Sequence, residues 1–328
     1  MRIFVNMPDG FRENSFITEE VKQKLKSVGD VTFSPYDKQL GGEELAEVLK
    51  DYDCIITGWG QPKITTENIG NVKLIAHTGG TIGGIVDMGI FDTDVTVLSG
   101  NNYYAQSVAE GVISYMLFAL RKMSYYESKL RQGVWDWNIK SEGLLGQSVG
   151  IISYGAISSR VIPMLRCFTD NIKVYSTRQN PELAKREGFT YASLDEIFST
   201  CKVVSVHTAK NDDTYHMINK HHFDLLQDGA LFINTSRGPV IDEDALVESL
   251  KENRFRALLD VYNQEPLSPD HPLLKLDNAI LFPHMAGPTY DRRAKITMAL
   301  IDDIADYFNG KEPDDVVTKE IAQKMTIA

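Results

Sequence analysis

The sequence predicts an α/β protein with two doubly wound parallel sheets, and three observations carry that prediction. Short runs rich in β-branched residues alternate with amphipathic stretches along nearly the whole chain, the pattern of strands joined by crossover helices. Several of those runs are apolar at successive positions, as in Cys54-Ile55-Ile56-Thr57 and Val203-Val204-Ser205-Val206, which suits strands covered on both faces. The chain has 328 residues, more than one ordinary core accommodates.

Taken in order, strands are expected at 3–6, 31–33, 54–57, 74–77, 96–98, 149–152, 172–175, 203–206, 230–233, 257–259 and 280–282. Amphipathic helices fit between them, for example at 19–27, 43–50 and 242–252. A single long helix from about 106 to 133 carries the chain out of the first set of strands and into the second. The last helix, roughly 291–309, has no strand of its own and is expected to return to the first domain. The domains are therefore 1–103 plus 291–328, discontinuous, and 104–290.

Bulk properties narrow the function. A formal charge of −11 argues against a phosphate-backbone binder, so no nucleic-acid partner is expected. Cys54, Cys167 and Cys201 are widely spaced and form no C-x-x-C pair, which favours a reducing compartment and no metal site. The N-terminal Met1-Arg2-Ile3-Phe4-Val5-Asn6 reads as a strand and not as a leader. The most apolar helix carries Glu110 and falls short of the ~18 apolar residues of a span. A soluble, cytoplasmic protein without a membrane segment is the expectation.

The apolar strand at 149–152 runs into Ser153-Tyr154-Gly155-Ala156-Ile157-Ser158 before a helix. A dinucleotide fingerprint places glycines at the first, third and sixth of these positions. Only the middle one, Gly155, is present; there a side chain would block a pyrophosphate from the helix N-terminus. The flanking serines are small, and their hydroxyls can donate to phosphate oxygens. The next strand ends at Ser176-Thr177-Arg178, where NAD binding calls for a carboxylate on the ribose 2′-hydroxyl. With no acid there, and with a guanidinium able to hold a 2′-phosphate, NADP(H) is favoured over NAD(H). Alternatively, Arg178 is a solvated surface residue.

Three further segments follow predicted strands: Asn234-Thr235-Ser236-Arg237-Gly238-Pro239, Asp260-Val261-Tyr262-Asn263-Gln264-Glu265-Pro266, and Pro283-His284-Met285-Ala286-Gly287. Ligands of open α/β sheets bind beyond the carboxyl ends of the strands, so all three can serve one cleft. The residue types suit ketone reduction. An imidazole gives a proton near neutrality, and a carboxylate on its other nitrogen fixes its tautomer. A guanidinium holds a substrate carboxylate in two parallel bonds.

With Ser107-Val108-Ala109-Glu110 and Val203-Val204-Ser205-Val206-His207 followed by Thr214, these segments resemble the D-isomer-specific 2-hydroxyacid dehydrogenase family, in particular its glyoxylate/hydroxypyruvate reductase-like members. The resemblance runs from about 74 to 289. It implies a flavodoxin-like substrate domain and a Rossmann nucleotide-binding domain, acting on a small 2-keto or 2-hydroxy acid with a nicotinamide cofactor. It also implies that Arg237 binds substrate, that His284 is the acid/base and Glu265 its partner, and that Asp260 lies beside the nicotinamide carboxamide. Taken with the glycine turn and the 176–178 strand end, the expected cofactor set is Ser153, Tyr154, Gly155, Ala156, Ile157, Ser176, Thr177, Arg178, His207, Thr208, Thr235, Ser236, Asp260, His284 and Gly287. His207 can equally be a buried structural histidine.

The stretch Ala76-His77-Thr78-Gly79-Gly80-Thr81-Ile82-Gly83-Gly84 is the richest in glycine and can form an anion-binding nest. By resemblance Thr78, Gly79, Gly80 and Tyr104 join Arg237 and His284 at the substrate. The Asp-Asn that commonly follows these glycines in the family is absent, and Tyr103-Tyr104 adds aromatic bulk. Packing alone would equally explain His77 and the tyrosines. Trp135 and Trp137 suit a buried contact, and the family's homodimer is the expected assembly. The alternative function is a catalytically weak NAD(P)-sensing regulator or corepressor on the same fold, suggested by the serines in the glycine turn.

Overall fold

A computed structural model describes residues 1–8 and 15–326. In chain order its elements are β1 (Arg2–Val5), α1 (Glu19–Val28), β2 (Asp30–Phe33), α2 (Gly42–Leu49), β3 (Cys54–Thr57), β4 (Leu74–His77) and β5 (Thr96–Ser99). Next come α3 (Asn101–Leu120), α4 (Met123–Arg131), β6 (Val149–Ile152), α5 (Ser158–Leu165), β7 (Ile172–Tyr175), α6 (Pro181–Glu187) and β8 (Thr190–Tyr191). They are followed by α7 (Leu194–Thr200), β9 (Val203–Val206), α8 (Lys220–Leu225), β10 (Leu231–Asn234), α9 (Glu243–Lys251), β11 (Arg256–Leu259) and β12 (Ala279–Leu281). The chain closes with α10 (Tyr290–Phe308) and α11 (Lys319–Ala322).

The chain divides into two compact units, Met1–Ala105 with Pro288–Ala328, and Gln106–Gly287. The first holds a five-stranded sheet in the order β2-β1-β3-β4-β5, every pair parallel. That is the flavodoxin-type order. Alternate residues of its strands feed two cores. Ile3, Val5 and Ile56 pack with Leu25 of α1 and with Ile296, Leu300 and Ile304 of α10. Phe4, Ile55 and Ile75 pack with Leu45 and Leu49 of α2 on the other face.

The second unit holds a seven-stranded parallel sheet, order β12-β11-β10-β9-β6-β7-β8. The order reverses between β9 and β6, as in a Rossmann sheet. One face carries Val204, Val206 and Phe232 against Ile197, Phe223 and Leu246. The opposite face carries Ile151, Val174 and Ile233 against Val112 and Met116 of α3 and Val161 and Leu165 of α5.

Two features depart from the sequence reading. The strand β8 was not expected; its two residues leave no periodicity to detect. The single helix expected from 106 to 133 is two helices, because Lys122 lies in the left-handed region at φ 51° and turns the chain between α3 and α4. No Gly or Pro stands there to announce the break.

Candidate active site

All seven strands of the second unit run the same way, so every loop leaving a carboxyl end emerges at one edge of the sheet. Those loops carry Ser153, Ser176, His207, Thr235–Arg237, Asp260 and His284. The topology thus brings together residues spread over more than a hundred positions of sequence.

His284 follows β12 in the left-handed region, φ 51°, a conformation few side chains adopt and histidine adopts more readily than most. Its Nδ1 lies 2.6 Å from Glu265 Oε2, and Glu265 Oε1 accepts from the Tyr262 backbone N–H at 3.0 Å. With the carboxylate on Nδ1, the tautomer is set and Nε2 is left for other chemistry. Burial draws the Arg237 guanidinium below its ordinary value, and the neighbouring Glu265 charge opposes that shift.

Residues without a role in the sequence reading hold this arrangement. A Cβ on Gly238 would sit 2.0 Å from the Tyr262 carbonyl carbon and 2.4 Å from Asn263 N. Only glycine allows the Arg237 turn to lie against the loop that carries Glu265. Asn234, fully buried, accepts from Ser236 N (3.0 Å) and Ser236 Oγ (2.7 Å) and donates to Arg237 O (3.2 Å). Glu243, in the first turn of α9, accepts from Asn263 N at 3.1 Å. The Tyr262 hydroxyl donates to Phe282 O at 2.8 Å, tying the Glu265 loop to the strand end before His284. Gly238 and Tyr262 fall inside recognised segments, but Glu243 gives no signal short of the tertiary structure.

Asp260 is 1 % exposed. It accepts from Tyr115 Oη (2.9 Å), Met285 N (2.8 Å) and Ala286 N (2.8 Å). Its visible work is to clamp the loop that carries His284, and burial beside it raises the Tyr115 phenol far above its ordinary value, keeping it a donor. α3 closes on the same loop: a Cβ on Gly111 would lie 2.9 Å from Ala286 O.

The glycine turn has a different character. Ser153 is left-handed at φ 80°, and Ser158 is buried with Oγ donating to Ser153 O at 2.7 Å. That hydroxyl, expected to reach a phosphate, is committed to the turn. The Tyr154 ring stacks on Phe189, and its hydroxyl donates to Glu187 at 2.5 Å. Ala156 O accepts from Arg160 at 2.8 Å, and Ile157 packs on the core beneath. Among the described residues no atom lies within 4 Å of where a Cβ on Gly155 would stand, and its φ is not positive. None of them requires glycine there. The empty approach lies at the N-terminus of α5, where an anion is favoured.

Two other expected cofactor residues leave polar atoms waiting. Both ring nitrogens of His207 and Thr235 Oγ1 are buried without a partner among the described residues. Burial pushes the His207 imidazole down to about 3, so the ring is neutral and offers one donor and one acceptor. Unmet buried groups cost about 1–3 kcal/mol each, a cost that a ligand with polar groups removes. The residues present therefore fit a bound dinucleotide. Ser236 is spent on Asn234, and Thr208 is buried. Gly287 is open around its Cα. Thr177 and Arg178 are exposed after β7, with Ser176 Oγ donating to Arg178 O at 2.8 Å.

Thr78, Gly79, Gly80 and Tyr104 belong to the first unit. Thr78 Oγ1 donates to Thr57 O at 3.0 Å. A Cβ on Gly79 would lie 2.2 Å from His77 Nε2, and one on Gly80 2.9 Å from the Tyr104 ring. Neither glycine has a positive φ; side-chain crowding demands them. Trp59 Nε1 donates to Tyr104 Oη at 2.8 Å and its ring meets His77 edge-on. His77 is wholly buried, bonded through Nδ1 to Thr57 Oγ1 at 2.9 Å, and pushed down to about 3 by burial.

Comparisons with known proteins agree with this organisation. Residues 113–286 match the family model of the D-isomer-specific 2-hydroxyacid dehydrogenase NAD-binding domain. The chain is 30 % identical over 274 residues to a D-3-phosphoglycerate dehydrogenase of Archaeoglobus fulgidus, a match covering 82 % of this chain and 52 % of the relative. It thus spans about half the length of that relative. It is also 30 % identical over 228 residues to a glyoxylate reductase of Aeropyrum pernix, covering 66 % of this chain and 68 % of that one. Among solved structures, an acyclic imino acid reductase in complex with NADPH and D-Arg superposes with a TM-score of 0.79 over 97 % of this chain and all of that chain, at 24 % identity, a likeness of fold. A carboxylate–imidazole pair and the half-buried Arg237 stand at the carboxyl edge of a sheet whose sequence matches that model, and the chain belongs to the D-isomer-specific 2-hydroxyacid dehydrogenase family.

Proposed function

We propose that this chain is a 2-hydroxyacid dehydrogenase, working as a 2-ketoacid reductase in the reverse direction on a small substrate. The observation that carries the reading is the 2.6 Å contact between His284 Nδ1 and Glu265 Oε2, with Arg237 beside it on the turn pinned by Gly238. A nicotinamide, when bound, supplies or accepts the hydride at the substrate's alpha carbon. In reduction, His284 Nε2 gives its proton to the carbonyl oxygen and Glu265 stabilises the protonated ring that gives it. In oxidation the same nitrogen takes the hydroxyl proton. Arg237 binds the substrate carboxylate through paired N–H donors and orients the alpha carbon.

The second unit, 106–287, is the nucleotide-binding domain in this reading, with Gly155, His207 and Thr235 against the dinucleotide and Asp260 positioning the His284 loop. The first unit is the substrate domain, with Thr78, Gly79, Gly80 and Tyr104 choosing the substrate. NADP(H) is preferred over NAD(H), because Ser176, Thr177 and Arg178 leave no carboxylate to repel a 2′-phosphate. The stretch from α4 onward exposes Trp135 (65 %) and Trp137 (86 %) with Leu130, Ile139 and Leu145. An apolar run of that kind suits burial in a homodimer.

The test is turnover of glyoxylate, hydroxypyruvate, pyruvate and bulkier 2-keto acids with NADPH and NADH. His284→Ala is expected to lower kcat by about 10²-fold or more. No turnover on any acid, with tight cofactor binding retained, would replace the enzyme with a sensor.

A further inference from the structure

The carboxyl edge of the second sheet takes up the family's chemistry; the amino edge carries a separate feature. There the structure holds a cavity of about 370 Å³ lined by Lys122, Lys140, Ser141, Glu142, Gly229 and Arg256. Arg256 opens β11, Gly229 precedes β10, and Lys202 precedes β9. The cavity therefore lies at the end of the parallel strands opposite His284.

Its charge is unlike that of the rest of the chain. Glu142 is neutralised twice, by Lys202 Nζ on Oε1 at 2.5 Å and by Arg256 Nη2 on Oε2 at 2.8 Å. Arg256 is held in place by a second bond to Ala119 O. Lys122 and Lys140 add two more cations, and among the described residues neither has an ion-pair partner. Asp228, next to Gly229, is engaged with Arg254 at 3.5 Å. Three cations, Lys122, Lys140 and Arg256, thus line the cavity with one carboxylate, which Lys202 also neutralises, in a protein of net charge −11.

Both unpartnered lysines are placed by the backbone. Lys122 occupies the left-handed break between α3 and α4 at φ 51°, a position glycine would take without strain. The Lys140 backbone N–H donates to the Tyr126 hydroxyl on α4 at 2.5 Å. A monovalent ion would leave most of this charge unmet, whereas a ligand with two or three negative charges matches it. The volume is that of a small-ligand site.

We propose that this cavity is a binding site for a small multivalent oxyanion, of the phosphate or polycarboxylate kind, distinct from the nucleotide loops. The site is open to solvent, so its affinity falls with ionic strength. The experiment uses the full chain, with inorganic phosphate and citrate each titrated calorimetrically and in thermal unfolding, against chloride at equal ionic strength. Saturable binding of at least one anion is expected, with Tm rising by about 3 °C at saturation. In the Lys122→Gly/Lys140→Ala double variant the affinity falls by about tenfold or more and the Tm rise disappears. Its KM for the nicotinamide cofactor is unchanged. Arg178→Ala, at the other edge of the sheet, retains both responses. The proposal is overturned if neither anion binds saturably, or if the double variant binds them as tightly as the parent. It is equally overturned if the double variant only shifts self-association, since carboxylates of a second copy would then be what the lysines meet.

Discussion

Two glycine-bearing turns of this protein, each following the carboxyl end of a strand, are opposite in physics. In the first unit, Gly79 and Gly80 are crowded by the protein itself, with His77 Nε2 2.2 Å and the Tyr104 ring 2.9 Å from where a Cβ would stand. In the second, Gly155 faces nothing within 4 Å. A glycine of the first kind records packing. One of the second kind has neither a crowding neighbour nor a positive φ to explain it, which suits the dinucleotide site proposed above. The sequence alone treats both as phosphate or carboxylate loops, and only the neighbouring side chains separate them.

The strongest way to break this contrast is Gly79→Ala. Overpacking against a wholly buried ring should cost about 3 kcal/mol of unfolding free energy in urea; a loss below about 0.5 kcal/mol would show that the ring yields.

Acid sharpens the contrast next. Each unit holds one imidazole that burial pushes down to about 3, His77 and His207. Unfolded, each binds a proton near 6.5, so the unfolded state gains protons first as pH falls. The stability is therefore whole above about pH 6.5 and is lost progressively below it, at about 1.4 kcal/mol per pH unit for each ring. His77→Asn should remove one ring's share of that slope in denaturant melts at pH 7 and 5. An unchanged slope would place the lability elsewhere.

Gly155→Ala should leave stability within about 0.5 kcal/mol of the parent while weakening NADPH binding by about tenfold or more, or about 1.4 kcal/mol. Calorimetric titration reads the second quantity and urea melts the first. Unaltered NADPH affinity would mean that the open space serves nothing.

The smallest effect is at Ser153, which carries a left-handed φ of 80° on a side chain. Ser153→Gly should stabilise the chain by about 0.5–1 kcal/mol, because it relieves the turn and leaves the Ser158 bond to the residue-153 carbonyl intact. A loss instead would show that the serine side chain is itself part of the turn.

Much of the molecule was legible beforehand because its signals are local. Strands such as Val149–Ile152 and Val203–Val206 are dominated by β-branched apolar residues, and that pattern needs no partner to be recognised. The residues at the strand ends could be picked out by their resemblance to the family's segments, and their types suit a proton donor and an anchor for a carboxylate. Less legible were features without a local cause. Lys122 breaks a helix with neither glycine nor proline, and the two residues of β8 are ordered by pairing with β7. The Ser158 hydroxyl looks available in sequence and proves to be spent on Ser153.

What the sequence determined by itself is therefore the alternation of buried strands and amphipathic helices, the parallel order that follows from it, and the chemical kinds of residue at the strand ends. What only the tertiary structure decided is which of those residues meet. Glu265 reaches His284 across 19 positions, and Asp260 reaches Tyr115 across 145. Gly238 admits the Tyr262 backbone, and two lysines come to share a cavity with Arg256. Periodicity is written within a few residues of chain, whereas hydrogen bonds and steric exclusion act between groups that only the folded backbone brings within a few ångströms.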